Sequence, residues 1–321
     1  MQADRTPRIE VLLITYNHAQ FIEKCLDGLL TQCVDDPIRV IVADDASTDD
    51  TVALIKDFER RNSEMRFVYL ESQGNVGITK NYQRAFAACS SEYVAVLEGD
   101  DYWVNTRKLK TQLEFLELHQ EYNVCSANYY VYDEYRHVFT LRSPPGPGHL
   151  SLGARELISD NLVGNFSTCM YRKSALDRIP AGVFETKSYD WIINICCGTD
   201  GLIAFLNEPM SVYRVHTGGS WNLLSHTEKL QQQLKFIPEY DRLTGLQFSH
   251  EFGVLSERLV RAISDSHQRS NEVQDPSPGL IIVPPLSSKL VDCMPPILMS
   301  IAKQLLPPAM KRYISKLVFG G

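Results

Sequence analysis

The chain has 321 residues, 44% of them apolar and 22% charged, and carries a net charge of −7. These are the values of a water-soluble globular protein with one large domain or two average ones. The acidic balance excludes an electrostatic footprint for nucleic acid, and no run of about 18 apolar residues is present to form a transmembrane helix.

The first 120 residues alternate two rhythms. "IEVLLITYN" is a strand-like apolar run ending in polar residues. "HAQFIEKCLDGLLTQ" follows with Ile22, Cys25, Leu26 and Leu29 at helical spacing. "IRVIVADD" reads as a second strand, after which Ser47 or Thr48 is expected to cap a helix that buries Leu54, Ile55 and Phe58. Asp49 and Asp50 belong to the positive first turn of that helix and read as capping groups. "RFVYLES", "GITKNYQRAFAACS" and "EYVAVL" supply the next strand, helix and strand. Such alternation predicts βαβ units and a mostly parallel sheet flanked by helices. Ligands of such sheets bind outside the carboxyl ends of the strands.

From about residue 122 the rhythm changes. "VCSANYYVYDEY" and "HVFTLR" read as strands of a hairpin, and "SPPGPGH" (143–149) as a mobile loop. "NFSTCMYRKSAL" reads as a strand and short helix, "SYDWIINICCGTDG" as a helix start, and "LIAFLNEPMSVYRVH" as short strands. Beyond Trp221, two helical patterns (Leu223, Thr227, Leu230, Leu234, Ile237; then Phe248, Phe252, Leu255, Leu259, Ala262) predict a packed helical pair. A proline-rich linker is expected over 271–297. It leads to an amphipathic tail helix with Met310, Ile314, Leu317 and Val318 on one face and Lys311, Arg312 and Lys316 elsewhere. A basic amphipathic helix can lie on an anionic membrane or dock on its own protein. The expected boundary falls at 221: residues 1–221 form one domain and 222–321 a C-terminal helical extension.

The eight cysteines show neither CxxC nor zinc-like spacing and read as small buried hydrophobes in a reducing compartment. The amino-terminal apolar run is short and preceded by a proline, unlike a signal peptide. A cytoplasmic location is therefore expected, with peripheral attachment at the inner face of the cell membrane left open.

The strand tails hold the chemistry. "EGDD" (98–101) places Glu98, Asp100 and Asp101 together, and mutual repulsion there requires raised pKa values or a bound cation. Mg²⁺ and similar ions combine one or two carboxylates with substrate phosphates. An isolated Asp pair reads as an acidic turn, but Asp44 and Asp45 end a neighbouring strand, and "GNVG" (74–77) offers glycines for close backbone approach.

"VLLITYNHAQFIEKCLDGLLTQ", "VIVADDASTDDT", "NVGITKNYQRAF" and "VAVLEGDDYW…KL", in this order and spacing, resemble the nucleotide-sugar half of the family-two glycosyltransferases. The resemblance is close over about 8–120. It continues more loosely through "SYDW" and "VYRVHTGGSW" to about 221, the acceptor half being 121–221. It implies a GT-A, Rossmann-like fold and an inverting, metal-dependent transfer of a sugar from a nucleotide-diphosphate donor of the UDP type to a hydroxyl acceptor. The acceptor class would be a glycan or lipid-linked acceptor of surface polysaccharide, lipopolysaccharide or glycolipid synthesis.

By the same resemblance, Thr15, Tyr16 and Asn17 end the first strand against the nucleotide. Asp45, with Asp44 beside it, holds a pyrimidine base, and Asn75 and Gly77 border it. Asp100 occupies the last place of the DxD motif, touching ribose and metal (Mn²⁺ or Mg²⁺). Glu98 stands where the family more often has Asp, which leaves Asp100 and Asp101 both open as the main metal ligand. Asp190 is the candidate catalytic base, although its position also suits a helix cap. Arg214 and His216 lie in a segment that closes over the site, with His216 toward metal or phosphate and Arg214 toward phosphate. Trp103 and Trp191 read as core residues before sugar platforms. Two rivals are weighed: a nucleotidyltransferase, disfavoured because "TYNHAQF" has no Lys or Arg to hold a triphosphate, and a non-catalytic nucleotide-sugar or glycan-binding protein, which could dispense with Asp190.

Overall fold

The computed structural model describes residues 7–186, 190–218 and 224–272, with side chains described as far as Ser266. The expected tail helix, most of the expected linker, Trp221 and Leu223 lie outside the described residues.

Strand β1 (Ile9–Thr15) is buried along its whole length, as its continuous apolar sequence requires of a central parallel strand. Its one charge, Glu10, accepts hydrogen bonds from Arg39 Nε and from the backbone N–H groups of Ser90 and Ser91. Helix α1 (Ile22–Leu30) crosses to β2 (Ile38–Asp44), and α2 (Thr51–Arg61) leads to β3 (Arg66–Tyr69). Helix α3 (Ile78–Ala88) then leads to β4 (Tyr93–Glu98), and the short β5 (Tyr102–Trp103) precedes α4 (Lys108–Leu118). The second half comprises β6 (Tyr122–Asp133), β7 (Val138–Leu141), β8 (His149–Leu152), α5 (Ala154–Ser159), β9 (Met170–Arg172), α6 (Lys173–Leu176), α7 (Asp190–Cys197) and β10 (Leu202–Val215). Helices α8 (His226–Leu243) and α9 (Ser249–Glu272) follow.

Among the described residues one sheet runs in the order β3-β2-β1-β4-β9-β6-β10-β5, with β7 on β6 and β8 on β10. The parallel expectation holds fully in its first half, where β3, β2, β1 and β4 are parallel neighbours. In the second half β6 and β10 are parallel, while β9, β7, β8 and β5 pair antiparallel to their partners. The "LIAFLNEPMSVYRV" segment is one long strand, not several short ones. Two register shifts around Pro209 absorb a residue that cannot donate to the ladder.

Each face of the sheet buries its own apolar layer. Leu13, Leu26, Phe58, Leu97, Trp103 and Leu113 fill one, under α1, α2 and α4. Gly28 lets α1 lie against β5, since a Cβ there would stand 2.6 Å from the Trp103 carbonyl oxygen. The other layer contains Tyr82, Phe166, Trp191, Ile193 and Tyr240, joined by Phe252, Leu255 and Leu259 of α9. The predicted helical pair therefore packs into the core of the sheet domain, and α9 continues two residues into the stretch expected as linker. Both Trp103 and Trp191 are core residues. Their indole N–H groups donate to the backbone carbonyls of Ser167 (2.8 Å) and Leu157 (2.6 Å).

Candidate active site

The chain lays β1, β2 and β3 in one direction and then returns to place β4 on the free side of β1. That reversal is a topological switch point, the place where sheets of this kind bind ligands outside the carboxyl ends of their strands. Thr15 pairs with Asp44, and Ile14 with Glu98, so three strand tails reach the same edge in register. Gly99 is required at this point. A Cβ on it would come within 2.8 Å of both His18 Nδ1 and Thr15 Cγ2.

The β2 side is a web of side-chain-to-backbone bonds. Asp44 accepts from Thr15 Oγ1 (2.8 Å), from the Ser47 N–H (2.8 Å) and from Ser47 Oγ (2.5 Å). Asn17, at φ +55°, donates its N–H to Ser47 Oγ and accepts the Thr48 N–H on its side chain. Ser47 and Thr48 thus tie the two strand tails together and do not cap α2. Asp49 does that work instead, taking the Thr51 N–H at 3.0 Å and also the Ala19 N–H at 3.0 Å. Asp45 is buried. Its two oxygens accept the backbone N–H groups of Val76 (2.8 Å) and Gly77 (2.9 Å), pinning the Asn75–Gly77 loop at the start of α3. Tyr16 is 44% exposed, and Asn75 is exposed within that loop.

At β4 the three carboxylates diverge. Glu98 turns toward α3 and accepts from Tyr82 Oη at 2.9 Å. Burial, with Asp100 and Asp101 adding repulsion, lifts it far above the ordinary carboxylate range. Asp101 is 1% exposed. It accepts Ser167 Oγ (2.7 Å), Asn165 Nδ2 (3.0 Å) and the Arg214 N–H (2.9 Å). Burial, then Asp100, push it up to about 7 in spite of these donors. Asp101 is the buried member of the three; Asp100 and Glu98 are each partly exposed, the Asp100 side chain by 22%. Asp100 Oδ2 lies 3.1 Å from His216 Nε2 and 3.8 Å from His18 Nε2. Burial would raise its pKa, but the two imidazoles outweigh that and hold it below the usual value. The knot of negative charge is thus relieved in two ways: burial disfavours the charged form of Glu98, and Asp100 is flanked by imidazoles.

His216 is fixed at both nitrogens. Gly218 donates its N–H to Nδ1 (3.1 Å), so the neutral ring carries its proton on Nε2, facing Asp100. Phe21 packs on the ring with centroids 4.4 Å apart. Arg214 is also engaged. Nε donates to the Asp100 carbonyl (2.8 Å), Nη1 to Glu134 (2.7 Å), and the guanidinium lies over the Phe21 and Tyr102 rings. Across the site, Asp190 opens α7 and accepts from Asn161 Nδ2 at 3.2 Å. Burial raises its pKa, with Asn161 and the Trp191 N–H opposing.

The structure therefore brings Thr15, Asp44, Asp100 and His216 together around His18 at the strand ends. It buries Asp101 and Arg214 in protein contacts and turns Glu98 and Asp45 toward their own supports. Sequence reading missed His18, Glu134, Asn161, Asn165 and Ser167. Only His18 carried a local signal, as an imidazole directly after a strand tail. Among the described residues no three His, Cys, Asp or Glu side chains converge to hold a metal, and no helix is long and apolar enough to cross a membrane.

Comparisons with known proteins bear on the fold and the family. An uncharacterized protein of Mycobacterium tuberculosis (strain H37Rv) is 34% identical over 214 residues, 67% of this chain and 60% of that protein, so the chain spans less than two thirds of this relative's length. UDP-Glc:alpha-D-GlcNAc-diphosphoundecaprenol beta-1,3-glucosyltransferase of Escherichia coli is 26% identical over 65% of this chain and 78% of its own. Among solved structures, S. aureus TarS 1–349 in complex with UDP-GlcNAc superposes with a TM-score of 0.58 at 22% identity, covering 80% of this chain and 73% of that one. The mannosyltransferase PcManGT of Pyrobaculum calidifontis, in complex with GDP-Man and Mn2+, gives 0.54 at 16% identity over 98% and 86%. At such identities these likenesses show the fold, the GT-A fold. The sequence model described as Glycosyl transferase family 2 matches residues 10–180, more than half of the chain, and the protein belongs to that family.

Proposed function

We propose that the protein is an inverting glycosyltransferase that moves a sugar from a nucleoside-diphosphate donor, of the UDP type, to a hydroxyl acceptor. The observation that carries this reading is the β1/β4 switch point, where Asp100 presents a partly exposed carboxylate flanked by two imidazoles. Tyr16, exposed at the tail of β1, and Asn75 offer surfaces for the base. Thr15, Asn17, Asp44, Asp45 and Gly77 shape the walls behind them.

A divalent ion, Mn²⁺ or Mg²⁺, fits the donor set at Asp100. Such ions take one or two carboxylates and complete their shell with phosphate oxygens. Asp100 would hold it, with His216 beside it. When bound, the ion offsets the negative charge that develops on the departing diphosphate. Asp101 accepts from three protein donors and serves as the brace behind Asp100. Arg214, with Asp100 and Glu134 on its guanidinium, closes the floor of the site.

Asp190 is the group to receive the proton. As the acceptor oxygen forms its bond to the anomeric carbon, the bond from that carbon to the diphosphate breaks, the electron pair leaves with the nucleoside diphosphate, and the hydroxyl proton passes to Asp190. A base with a pKa raised toward neutrality suits this role. The acceptor is read as a growing surface glycan or lipid-linked saccharide met at the inner face of the cell membrane. The name of the Escherichia coli relative, which specifies a diphosphoundecaprenol-linked acceptor, supports that class.

Asp190→Asn tests the assignment. Turnover should fall by about 10²- to 10⁴-fold with donor affinity nearly unchanged. Undiminished turnover would reduce Asp190 to a helix-terminal carboxylate.

A further inference from the structure

The loop between α5 and β9 touches both sides of the site. Asn161 donates from Nδ2 to Asp190 Oδ2 at 3.2 Å, and its own Oδ1 accepts the Gly164 N–H at 3.1 Å. The amide is therefore held at both ends, and a flip would set N–H against N–H and oxygen against carboxylate. Gly164 is needed for this turn. It sits at φ +70°, and a Cβ on it would stand 2.7 Å from Tyr129 Oη. The Asn161 carbonyl is tied in addition to Arg142.

A few residues on, the same loop supplies Asn165 and Ser167 to Asp101, and Ser167 Oγ also accepts the Glu98 N–H. One short stretch of chain thus grips the carboxylate cluster of β4 with one end and Asp190 with the other. The Trp191–Leu157 bond locks α7 to α5 beside it.

We infer that Asn161 is a positioning residue, holding the Asp190 carboxylate in one orientation at a distance from Asp100 that the Asn161–Ser167 stretch sets. This rests on the proposed role of Asp190 as base. The physical effect is twofold. The amide fixes the rotamer of Asp190, and as a donor to the carboxylate it favours the ionised form, the form that can accept a proton. The other titratable and charged groups that face Asp190 among the described residues are Glu98 of β4, Tyr129 of β6, Tyr171 of β9 and, through Asn161, Arg142. None of these bonds the carboxylate directly; Asn161 does so by its side chain, beside the backbone N–H groups of Asp190 and Trp191.

The test uses the full chain with Asn161→Ala and the near-isosteric Asn161→Asp. The titration midpoint of Asp190 is read by carboxyl-carbon NMR, with the signal assigned by its loss in Asp190→Asn. Turnover is read as nucleoside diphosphate released from UDP-glucose, UDP-N-acetylglucosamine or GDP-mannose. Removing one charge-assisted hydrogen bond should raise the midpoint by about one pH unit in Asn161→Ala, and the added carboxylate should raise it further in Asn161→Asp. The acid limb of turnover should move up by the same amount, with kcat at neutral pH about tenfold lower and donor KM within about twofold. An unchanged midpoint in both folded variants overturns the inference, and the NMR reading needs no donor. Full turnover in Asp190→Asn would instead overturn the base assignment, so the two failures are distinct.

Discussion

Strands β1, β2 and β4 deliver Thr15, Asp44 and Glu98 as the ends of parallel neighbours, each from a short motif that follows its own strand. The second half of the sheet works otherwise. Asp101 is held by Asn165, Ser167 and Arg214, which lie 64, 66 and 113 residues along the chain. In the first half, local sequence places the functional groups. In the second, tertiary closure decides which of those groups remain open. Asp100 and Asp101, adjacent in sequence, carry the contrast: one is partly exposed between two imidazoles, and the other is a buried brace.

The sharpest way to break the contrast is to remove each of the two in turn. Asp100→Ala should leave the fold intact and lower turnover at least 100-fold, because the partly exposed side chain supports the site and not the core. Asp101→Ala should instead cost about 3 kcal/mol of stability, since three buried donors lose their acceptor. Denaturant melts of the two variants check this, and equal stability losses would erase the distinction.

Behind the same brace lies Lys108, fully buried, donating to Gln112 Oε1 at 2.7 Å with its ammonium over the Trp103 ring. Burial lowers its pKa to about 7, with Cys169 and Cys125 opposing. The unfolded chain, with the lysine near 10.5, binds more protons above pH 7, so this group makes stability rise with pH between about 7 and 10.5. From pH 7 to 8.5 the wild type should gain about 1.5 kcal/mol relative to Lys108→Met. Parallel stability curves for the two proteins would place the charge elsewhere.

The smallest effect concerns the first half. Asp45→Ala frees the Val76 and Gly77 N–H groups and should weaken nucleotide binding about tenfold through the loosened loop, without abolishing it. A complete loss would mean that Asp45 touches the nucleotide directly.

These contrasts follow what could be read from the chain itself. The strands and helices up to Leu118 announce themselves by period, because continuous apolar runs between amphipathic helices admit few other arrangements. Asp100 and His216 were legible as chemistry at strand ends. The burial of Asp101 and Arg214 was not, since their partners come from β6, β10 and the turn before β9, and nothing local in "EGDD" or "VYRVH" encodes them. The length of β10 was obscured by Pro209, which reads as a strand break but is absorbed by register shifts. Asn161 was invisible for the same reason as Ser167: its role exists only once α5 and α7 are locked together.

The central claim is that a nucleoside diphosphate binds at the strand ends in front of Asp100. Calorimetric titration of the full chain with UDP, GDP and dTDP, each with Mn²⁺ and then with EDTA, tests it most directly. The account predicts metal-dependent binding of UDP that is lost in Asp100→Ala and retained in Asp190→Asn. Failure of the folded protein to bind any of the three nucleotides would contradict it.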